Sequence, residues 1–372
     1  MDRKIVVLLC GPTLQGKDGA YGDGVGGYTR NMSVYLKYFK SDRFVIVPCF
    51  LTIRNNKLPF LLQFPIRLTK DIFLFLFKLI KKGPSLVHIL GQYRSATPRE
   101  FLIVFLARIF NKKVIYEIKA GSFIHFYNSA NAINKYMTRY ILKKSKLVLS
   151  EGEIYLDFVN TLAKRKKSYF FPNFVPGEQV PAFAALKLDS DKLTVLFVGY
   201  CYEGKGVFEL IRGLNLAASK GHKIELTLIG KEANDFKNWL DNFSLNENLA
   251  INRLGVKPHE IVLEKMNSHD IYFYPSKHSG EGHNNSINEA MMSYMVIVTT
   301  RIGFLPLVLG DSAYFLDDIS DTSIADIIYH ISINKKEALD KALNAKLRLM
   351  ANYTTDTQVP KLESYYNLAI TN

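Results

Sequence analysis

Short apolar runs alternate with longer amphipathic segments along most of this chain. In the first half these runs have the length and β-branched composition of buried strands, and they lie at 4–10, 44–48, 85–90, 113–117 and 147–150. Apolar residues recur with helical spacing between them. Strands that alternate with helices in this way predict a parallel sheet covered by helices.

The alternation stops once and then starts again. Residues 175–188 contain Pro and Ala without a repeating apolar pattern, and we place the linker between two domains there. Further strands are predicted at 193–198, 223–229, 251–254, 271–274, 296–300 and 313–316. The predicted fold class is therefore α/β, with two Rossmann-like doubly wound domains that face each other across a cleft. We predict domains at 1–180 and 181–350, with 351–372 packing back on the first domain.

One polar segment of the second domain carries most of the candidate chemistry. A Gly-containing loop follows the strand predicted at 271–274 and leads into a segment of helical spacing that begins at Asn285. A strand, loop, helix and strand in this order place the loop at the carboxyl edge of a parallel sheet. Asn284 and Asn285 suit a helix start, where free backbone N–H groups bind anions. Glu281 lies in the loop, and Glu289 follows it by eight residues.

Glycine-rich loops follow the first strand of each predicted domain. In the first loop, Gly22, Gly24 and Gly27 have G-x-G-x-x-G spacing, but no acidic residue closes the next strand, so a dinucleotide site is not predicted. The backbone of such a loop can approach a phosphate closely, although a plain flexible loop fits the spacing as well. Residues 119–127 are interpreted as another loop at a carboxyl edge.

Composition and charge narrow the class of protein. Hydrophobic residues make up 48% of the chain and charged residues 22%, which is typical of a globular protein. The net charge of +14 favours phosphorylated ligands, nucleic acid or an anionic membrane surface as partners, with general solubility as the alternative explanation. The three cysteines form no disulfide or metal-binding pattern, and the first apolar run is too short for a signal peptide. We therefore expect a cytoplasmic protein.

The segment 57–82 mixes large apolar residues with Lys and Arg. Such a basic amphipathic stretch can lie in a membrane interface, where apolar side chains are buried and cations meet anionic lipid. An ordinary outer helix of an α/β domain is the alternative. The local positive charge favours the membrane, so we expect peripheral contact with an anionic membrane, on the inner face of the cell membrane.

These motifs together resemble those of the retaining GT-B glycosyltransferases of family four, which include bacterial surface-polysaccharide enzymes. The matching elements are Pro275-Ser276, Glu281-Gly282, Glu289-Ala290-Met291, the loop with Gly199, Glu203, Lys205 and Gly206, the pair Gly26-Gly27, and Phe171-Pro172-Asn173. The spacing of Glu281 and Glu289 is the most specific of them, and the resemblance covers nearly the whole chain.

The resemblance implies a retaining hexosyltransferase that needs neither a metal nor another cofactor. It would move a sugar from a nucleoside-diphosphate sugar to a glycan, here a saccharide linked to polyprenyl diphosphate, in polysaccharide, O-antigen (lipopolysaccharide) or capsule assembly. A cation and helix N-termini would stabilise the leaving diphosphate. Asp189-Ser190-Asp191 has the spacing of a D-x-D metal motif but lies in the predicted linker.

The resemblance also assigns residues to the site. The donor-binding residues would be Gly27, Gly199, Tyr200, Lys205, Val256, Gly282, His283, Asn284, Asn285 and Glu289. The catalytic residues would be Glu281, Lys205, Lys119 and His125. Lys205 would pair with the diphosphate, Glu289 would hold the ribose hydroxyls, and Glu281 would lie near the donor sugar.

The chain departs from the family pattern at two positions. Tyr200 stands where relatives often carry Arg or another polar residue, so a second cation for the diphosphate would come from Lys277 or Arg301. Lys119 stands where many relatives carry His, and it would contact a donor hydroxyl or the acceptor's phosphate. His125 would line the acceptor side or simply pack.

Two other functions fit the same architecture. A sugar-nucleotide epimerase also uses two facing Rossmann-like domains, and a non-catalytic nucleotide-sugar-binding subunit would keep Lys205 and Glu289. Nucleic acid is not an expected partner, because no RNA-binding signature accompanies the positive charge.

Overall fold

The computed structural model describes residues 4–12, 26–53, 59–119, 121–181, 188 and 190–371. Gly22 and Gly24 of the first glycine loop and Asp189 of the D-x-D spacing lie outside these ranges. The chain divides into two compact units: unit 1 comprises Met1–Pro176 and Thr355–Asn372, and unit 2 comprises Gly177–Thr354. The divisions fall at 176/177 and 354/355, where the sequence placed them at 180/181 and 350/351.

Unit 1 contains a parallel sheet of buried, apolar strands. The strands are β1 (Ile5–Pro12), β2 (Phe44–Leu51), β3 (Leu86–Gly91), β4 (Lys113–Ile118), β5 (Leu147–Ser150) and β6 (Ser168–Phe170). They pair in the order β2-β1-β3-β4-β5-β6. The order reverses between β1 and β3, so right-handed connections place helices on both faces.

Six helices of unit 1 connect these strands. They are α1 (Gly26–Tyr38), α2 (Phe60–Lys82), α3 (Thr97–Ile109), α4 (Phe123–Ser129), α5 (Ala132–Lys144) and α6 (Ile154–Ala163). The interpretation of 119–127 as a loop is wrong from Phe123 onward. Phe123 and Tyr127 lie one helical turn apart and are both buried, and this packing stabilises the short helix α4.

Unit 2 repeats the architecture with a different strand order. Its strands are β7 (Lys192–Val198), β8 (Lys223–Ile229), β9 (Leu249–Gly255), β10 (Ile271–Tyr274), β11 (Val296–Thr300) and β12 (Tyr314–Leu316). They pair in parallel in the order β12-β11-β10-β7-β8-β9. The direction of winding reverses between β7 and β10, which makes their carboxyl ends the topological switch point where such sheets bind ligands.

The remaining helices cover the second sheet and return to the first unit. Those of unit 2 are α7 (Val207–Ser219), α8 (Asn234–Asp241), α9 (His259–Ser268), α10 (Asn285–Met292), α11 (Leu305–Leu309), α12 (Asp321–Ile333) and α13 (Lys335–Asn352). The last helix, α14 (Thr355–Thr371), belongs to unit 1. Its Leu362 and Tyr366 pack into the core that α1 and the first sheet form around Tyr35 and Phe171.

The predicted α/β class with two doubly wound domains is confirmed, since each unit contains a parallel sheet flanked by helices. Across the described ranges, no helix is both long enough and apolar enough to cross a membrane.

Candidate functional site

The loops that follow β7 and β10 meet at the switch point of unit 2. The backbone N–H of Lys277 donates to the carbonyl of Gly204 over 2.9 Å. Gly206 has φ +67°, and a Cβ at that position would lie 2.0 Å from the carbonyl oxygen of Pro275. Only glycine permits both this backbone conformation and this close approach. The two loops therefore form one continuous surface at the carboxyl edge of the sheet.

Lys205 points its ammonium group into this surface. It ends the single helical turn Glu203–Lys205 that precedes α7, and its side chain is mostly buried. The ammonium forms an ion pair with the carboxylate of Glu281 and donates a hydrogen bond of 2.6 Å to the hydroxyl of Tyr274. The predicted phosphate-binding lysine and the predicted sugar-side glutamate are thus in direct contact.

Glu281 is held in place through both its side chain and its backbone. Oε1 also accepts a hydrogen bond from Ser276 Oγ (2.6 Å), and Oε2 accepts one from Tyr274 Oη (3.1 Å). The carbonyl of Glu281 accepts from the backbone N–H of Phe304 (3.2 Å). Gly303 has φ +59°, and a Cβ there would lie 2.1 Å from the same carbonyl oxygen. Glu281 is 6% exposed, so the hydroxyls of Ser276 and Tyr274 and the ammonium of Lys205 replace the water that would otherwise solvate its carboxylate.

Tyr274 connects the functional groups of both loops. It is the last residue of β10 and is 2% exposed, with its ring parallel to those of Phe197 and Tyr272. Its hydroxyl accepts a further hydrogen bond from Asn284 Nδ2 over 2.8 Å. Burial and the nearby Glu281 carboxylate raise the pKa of Tyr274 well above its usual value. The phenol therefore keeps its proton and donates a hydrogen bond to Glu281.

The N-terminus of α10 opens beside Tyr274. Asn284 is the N-cap, and its Oδ1 accepts from the backbone N–H (3.0 Å) and hydroxyl (2.9 Å) of Ser286. Tyr272 Oη donates to the hydroxyl of Ser286 over 2.7 Å. Gly282 and Asn285 are half-buried and lie on either side of the cap. Backbone N–H groups at a helix start favour an anion, as the sequence predicted for this segment.

His283 lies in the same loop but turns its side chain inward. Its Nε2 lies 2.8 Å from Asn288 Oδ1, and its ring stands edge-on to Tyr353 at a centroid distance of 4.7 Å. The side chain is buried. The predicted donor contact at this residue would therefore come from its backbone.

Glu289 lies on the inner side of α10 and is paired with a residue that the sequence analysis did not single out. His259, the first residue of α9, places Nε2 3.0 Å from Glu289 Oε1. Glu289 is buried, whereas about a quarter of the His259 side chain is exposed. The sequence offers one signal for His259, which is a helix start after Pro258. The pair itself could not be predicted, because no spacing rule connects residues thirty positions apart.

The remaining donor-side predictions lie along the same edge of the sheet. Gly199 follows β7, and a Cβ on Gly230 would lie 1.8 Å from its carbonyl oxygen, so the two backbones approach closely. Tyr200 is partly exposed and its ring packs at a tilt against that of Tyr202, with ring centroids 5.1 Å apart. Val256 is exposed directly after β9. Tyr200 and Val256 thus present exposed side chains at the carboxyl ends of β7 and β9.

The two candidate second cations are both engaged with other groups. Lys277 Nζ lies 3.1 Å from Glu209 Oε1. Arg301 lies over the ring of Phe315 at 4.7 Å and 3.5 Å from Asp317 Oδ1. In this structure, Lys205 is the cation that contacts Glu281.

Lys119 is part of a buried ionic cluster in unit 1. Its Nζ lies 2.8 Å from Glu117 Oε1 and donates to the carbonyl of Pro172 over 3.3 Å. Glu117 also accepts from Tyr35 Oη (2.7 Å), and His88 Nε2 lies 2.9 Å from its other oxygen. Burial alone would raise the pKa of Glu117, but Lys119 and His88 outweigh it and lower the pKa to about 2. The carbonyl of Phe171 is a third acceptor at 3.5 Å, so a substrate contact would require Lys119 to exchange one of its three partners.

The other predicted residues of unit 1 lie on helices. His125 is exposed on α4, where its carbonyl accepts from Ser129 Oγ. Gly27 is the second residue of α1. Among the residues that the structure describes, no three His, Cys, Asp or Glu side chains are grouped so that they could hold a metal ion.

Comparison with known proteins gives one family match and several structural matches. Residues 179–348 match the family model for glycosyl transferases group 1. The capsular polysaccharide biosynthesis glycosyltransferase CapM of Staphylococcus aureus is 26% identical over 185 residues, 49% of this chain and 47% of the relative. The chain thus matches about half the length of that relative.

Solved structures resemble the chain over nearly its whole length. A sucrose-phosphate synthase from Thermosynechococcus elongatus has a TM-score of 0.75 at 15% identity, with 98% of both chains covered. HepE from Anabaena in complex with UDP has a TM-score of 0.69 at 11% identity, covering 98% of this chain and 99% of that one. HepE was also solved with UDP-glucose. At these identities the likeness shows a shared fold.

Proposed function

We propose that this chain, which has the GT-B fold and whose residues 179–348 match the family model for glycosyl transferases group 1, transfers a sugar from a nucleoside-diphosphate sugar to a saccharide acceptor. The observation that carries the proposal is the meeting of Lys205, Glu281 and the N-terminus of α10 at the switch point of the second sheet. The family match favours transfer over the epimerase and binding-subunit alternatives.

The chemistry of this surface suits a donor with a diphosphate. An ammonium and the N–H groups of a helix start both stabilise phosphate oxygens. Glu289, one turn into the same helix, would bind the ribose hydroxyls, and Glu281 would face the sugar. The complexes of HepE with UDP and UDP-glucose support the choice of a nucleotide-sugar as the donor class.

The proposed reaction retains the configuration at the anomeric carbon. The bond from the anomeric carbon to the diphosphate oxygen breaks, and negative charge develops on the leaving group beside Lys205 and α10. The acceptor's hydroxyl oxygen forms the new bond on the same face, and its proton passes to the departing phosphate. The products are a glycoside and a nucleoside diphosphate. Because protein groups supply the charge stabilisation, the proposal requires no metal.

We further propose that the acceptor is a saccharide carried by a membrane lipid such as polyprenyl diphosphate. The match to CapM supports a role in capsule or related polysaccharide assembly. The outer face of α2 supports contact with a membrane. Leu62, Ile66, Phe73, Phe77 and Ile80 lie along one stripe of this helix and are between 50% and 72% exposed.

Charge on α2 matches an anionic lipid surface. Lys70, Lys81 and Lys82 are exposed on the same helix, whereas Phe75 and Leu79 are buried against the rest of unit 1. A helix with one buried and one exposed apolar stripe, flanked by cations, suits an interface between water and lipid.

Donor turnover tests the proposed function. The full chain is incubated with UDP-, GDP-, ADP- and dTDP-sugars, and release of the nucleoside diphosphate is measured with and without lipid-linked saccharides extracted from bacterial membranes. We expect one donor class to be turned over and an acceptor to accelerate its turnover. Donor conversion to an epimer without release of the diphosphate would contradict transfer.

A further inference from the structure

The cation that would bind the donor's diphosphate already has an anionic partner in this structure. Lys205 and Glu281 form an ion pair in a mostly buried position. A diphosphate and a carboxylate that share one ammonium at this burial would repel each other with little solvent screening. Donor binding therefore requires a change at this pair, even though both residues belong to the same predicted site.

We propose that Glu281 is an internal counter-ion of Lys205 that the donor's diphosphate displaces, and that the Tyr274 hydroxyl is the positioning group that keeps Lys205 in place during the exchange. The inference rests on the proposed function, because it concerns the same donor site. Beyond that function, Tyr274 gains a positioning role, and Glu281 pairs with Lys205 only until the diphosphate binds.

The hydrogen-bonding capacity of Tyr274 fits this role. A phenol oxygen can accept two hydrogen bonds and donate one, and here it accepts from Lys205 and Asn284 and donates to Glu281. An ammonium carries three protons, so Lys205 can turn one of them to a phosphate without losing Tyr274. The hydroxyl itself cannot follow the ligand, because the residue ends a buried strand.

Glu281 has partners that remain after the exchange. When Lys205 turns to the diphosphate, the hydroxyls of Ser276 and Tyr274 still donate to the carboxylate at 2.6 and 3.1 Å. The buried charge is therefore not left without hydrogen bonds, which would be costly. Hydroxyls of the donor sugar are suited to replace the lost ammonium, whereas a free nucleoside diphosphate lacks them. The exchange thus favours the intact donor over the product.

Calorimetric titration of the full chain with UDP, GDP and ADP tests the exchange, with the tightest of the three used for the variants. Glu281→Gln removes the competing charge and keeps the shape, so we expect nucleotide binding about fivefold tighter with sugar transfer lost. Tyr274→Phe removes only the hydroxyl, and we expect binding about tenfold weaker. A merely structural defect would weaken binding in both variants.

A double-mutant cycle isolates the ion pair. In a Lys205→Met background, Glu281→Gln frees no ammonium and removes only the direct repulsion between the carboxylate and the diphosphate, so it should tighten binding by a different factor than in the wild-type background. Equal tightening in both backgrounds, or none in the wild-type background, would overturn the counter-ion role. Unchanged affinity in Tyr274→Phe would overturn the positioning role.

Two controls separate failure of this inference from failure of the proposed function. Tyr314→Phe removes a buried hydroxyl from β12 of the same sheet, outside the site, and should leave nucleotide affinity unchanged. If the wild-type chain binds none of the three nucleotides and turns over no donor, the proposed function itself fails and the inference fails with it. If the wild type binds a nucleotide, but Glu281→Gln does not bind it more tightly or Tyr274→Phe does not bind it more weakly, only the inference is overturned.

Discussion

Glu117 shows how a fully buried carboxylate keeps its charge in unit 1. Lys119 and His88 lie within 3 Å of its two oxygens, and Tyr35 donates a hydrogen bond to it. The cluster joins the middle of β3 and the end of β4 to helix α1, and Tyr366 of α14 extends it through a 2.9 Å contact with His88. Neutralising this carboxylate would remove the anionic partner of the buried Lys119 ammonium.

We therefore expect Glu117→Gln to lower the free energy of unfolding. The folded pKa of about 2 lies below the ordinary value of 4.5, so the stabilisation is present above pH 4.5 and disappears as the pH falls towards 2. The difference corresponds to on the order of 3 kcal/mol at neutral pH. Urea unfolding of the wild type and the variant at pH 7 and pH 4 measures the free energy of unfolding. The difference between the two proteins should be smaller at pH 4 than at pH 7.

Glu153→Gln is the matched control, because Glu153 is an exposed carboxylate of the same unit. It should leave the midpoint of unfolding nearly unchanged. Equal effects of the two substitutions would contradict the stabilising role of the buried cluster.

His259 is expected to support donor binding through Glu289. The 3.0 Å contact orients a buried carboxylate that the proposal assigns to the ribose. His259→Gln should raise KM for the donor about three- to tenfold with little change in kcat, because one hydrogen bond to a charged group is weakened. Steady-state kinetics over a range of donor concentrations measures the two constants separately.

His330→Gln provides the comparison, since His330 also pairs with a glutamate, Glu337 at 3.2 Å, but at another edge of unit 2. It should leave KM unchanged. A fall in kcat alone for the His259 variant would contradict a role in ribose binding.

For single residues, the sequence was most informative about charged side chains that follow the end of a strand. Glu281 and Asn284 lie beyond the carboxyl end of β10, as the βαβ pattern predicted, and Lys205, which the resemblance had singled out, contacts Glu281 there. Tyr274 was not recognised, because its position in an apolar run resembles that of a core residue and its hydroxyl partners lie on other segments. The sequence did contain a signal for the pairing of Lys119 with Glu117. Glu117 stands two residues earlier, and extended backbone places the side chains of residues two apart on the same side.

Helix α2 has one side that packs against unit 1 and another side that is exposed. Its buried side includes Asp71, which binds Arg99 at 2.8 Å and the backbone N–H of Thr52 at 2.9 Å. These contacts fix the helix to α3 and to the residue after β2, independently of its exposed stripe. The exposed stripe can therefore be changed without removing what holds the helix in place.

We expect the triple variant Phe73→Ser, Phe77→Ser and Ile80→Ser to lose binding to anionic vesicles. Each side chain would otherwise bury apolar surface in the lipid interface, so binding should fall about tenfold or more. Co-sedimentation with phosphatidylglycerol vesicles at fixed salt measures the bound fraction.

Leu343→Ser with Leu347→Ser is the control, because these residues are exposed on α13 of unit 2. That variant should bind vesicles as the wild type does. Vesicle binding that survives the α2 substitutions would contradict the membrane contact proposed for this helix.

Among the elements, strands were predicted more accurately than short helices. The predicted strands 147–150, 223–229, 271–274 and 296–300 have the observed bounds, since buried parallel strands are nearly continuous apolar runs. Helix α4 was missed because seven residues give too few turns for an apolar period to be recognised. The strand order could not be predicted, because apolar runs do not specify which neighbours they pair with.

On the scale of the whole molecule, unit 1 is assembled from two separate parts of the chain. Helix α14 returns after all of unit 2 and places Leu362, Tyr366 and Ala369 in the core of unit 1. The polar contacts between α14 and the rest of unit 1 include the hydrogen bond from Tyr365 Oη to the carbonyl of Phe170 at 3.0 Å. Unit 2 has a core that does not include these residues.

We expect Leu362→Ala combined with Tyr366→Ala to destabilise unit 1 selectively. Two large side chains lost from a buried core cost about 5 kcal/mol or more. Limited proteolysis followed by mass mapping should place the first cleavages within 1–176, while peptides from 177–354 persist. Leu343→Ala on the exposed face of α13 serves as the control, and first cleavages inside 177–354 would contradict the expectation.

Helix α14 also has a consequence for how the protein is made. Translation reaches the end of unit 2 before the helix on which the aromatic core of unit 1 closes has been synthesised. The unit synthesised first is therefore the one finished last, and until then its apolar residues are available to chaperones or to other chains. A stop codon placed just after residue 354 would leave the unit next to it intact and damage the one translated first.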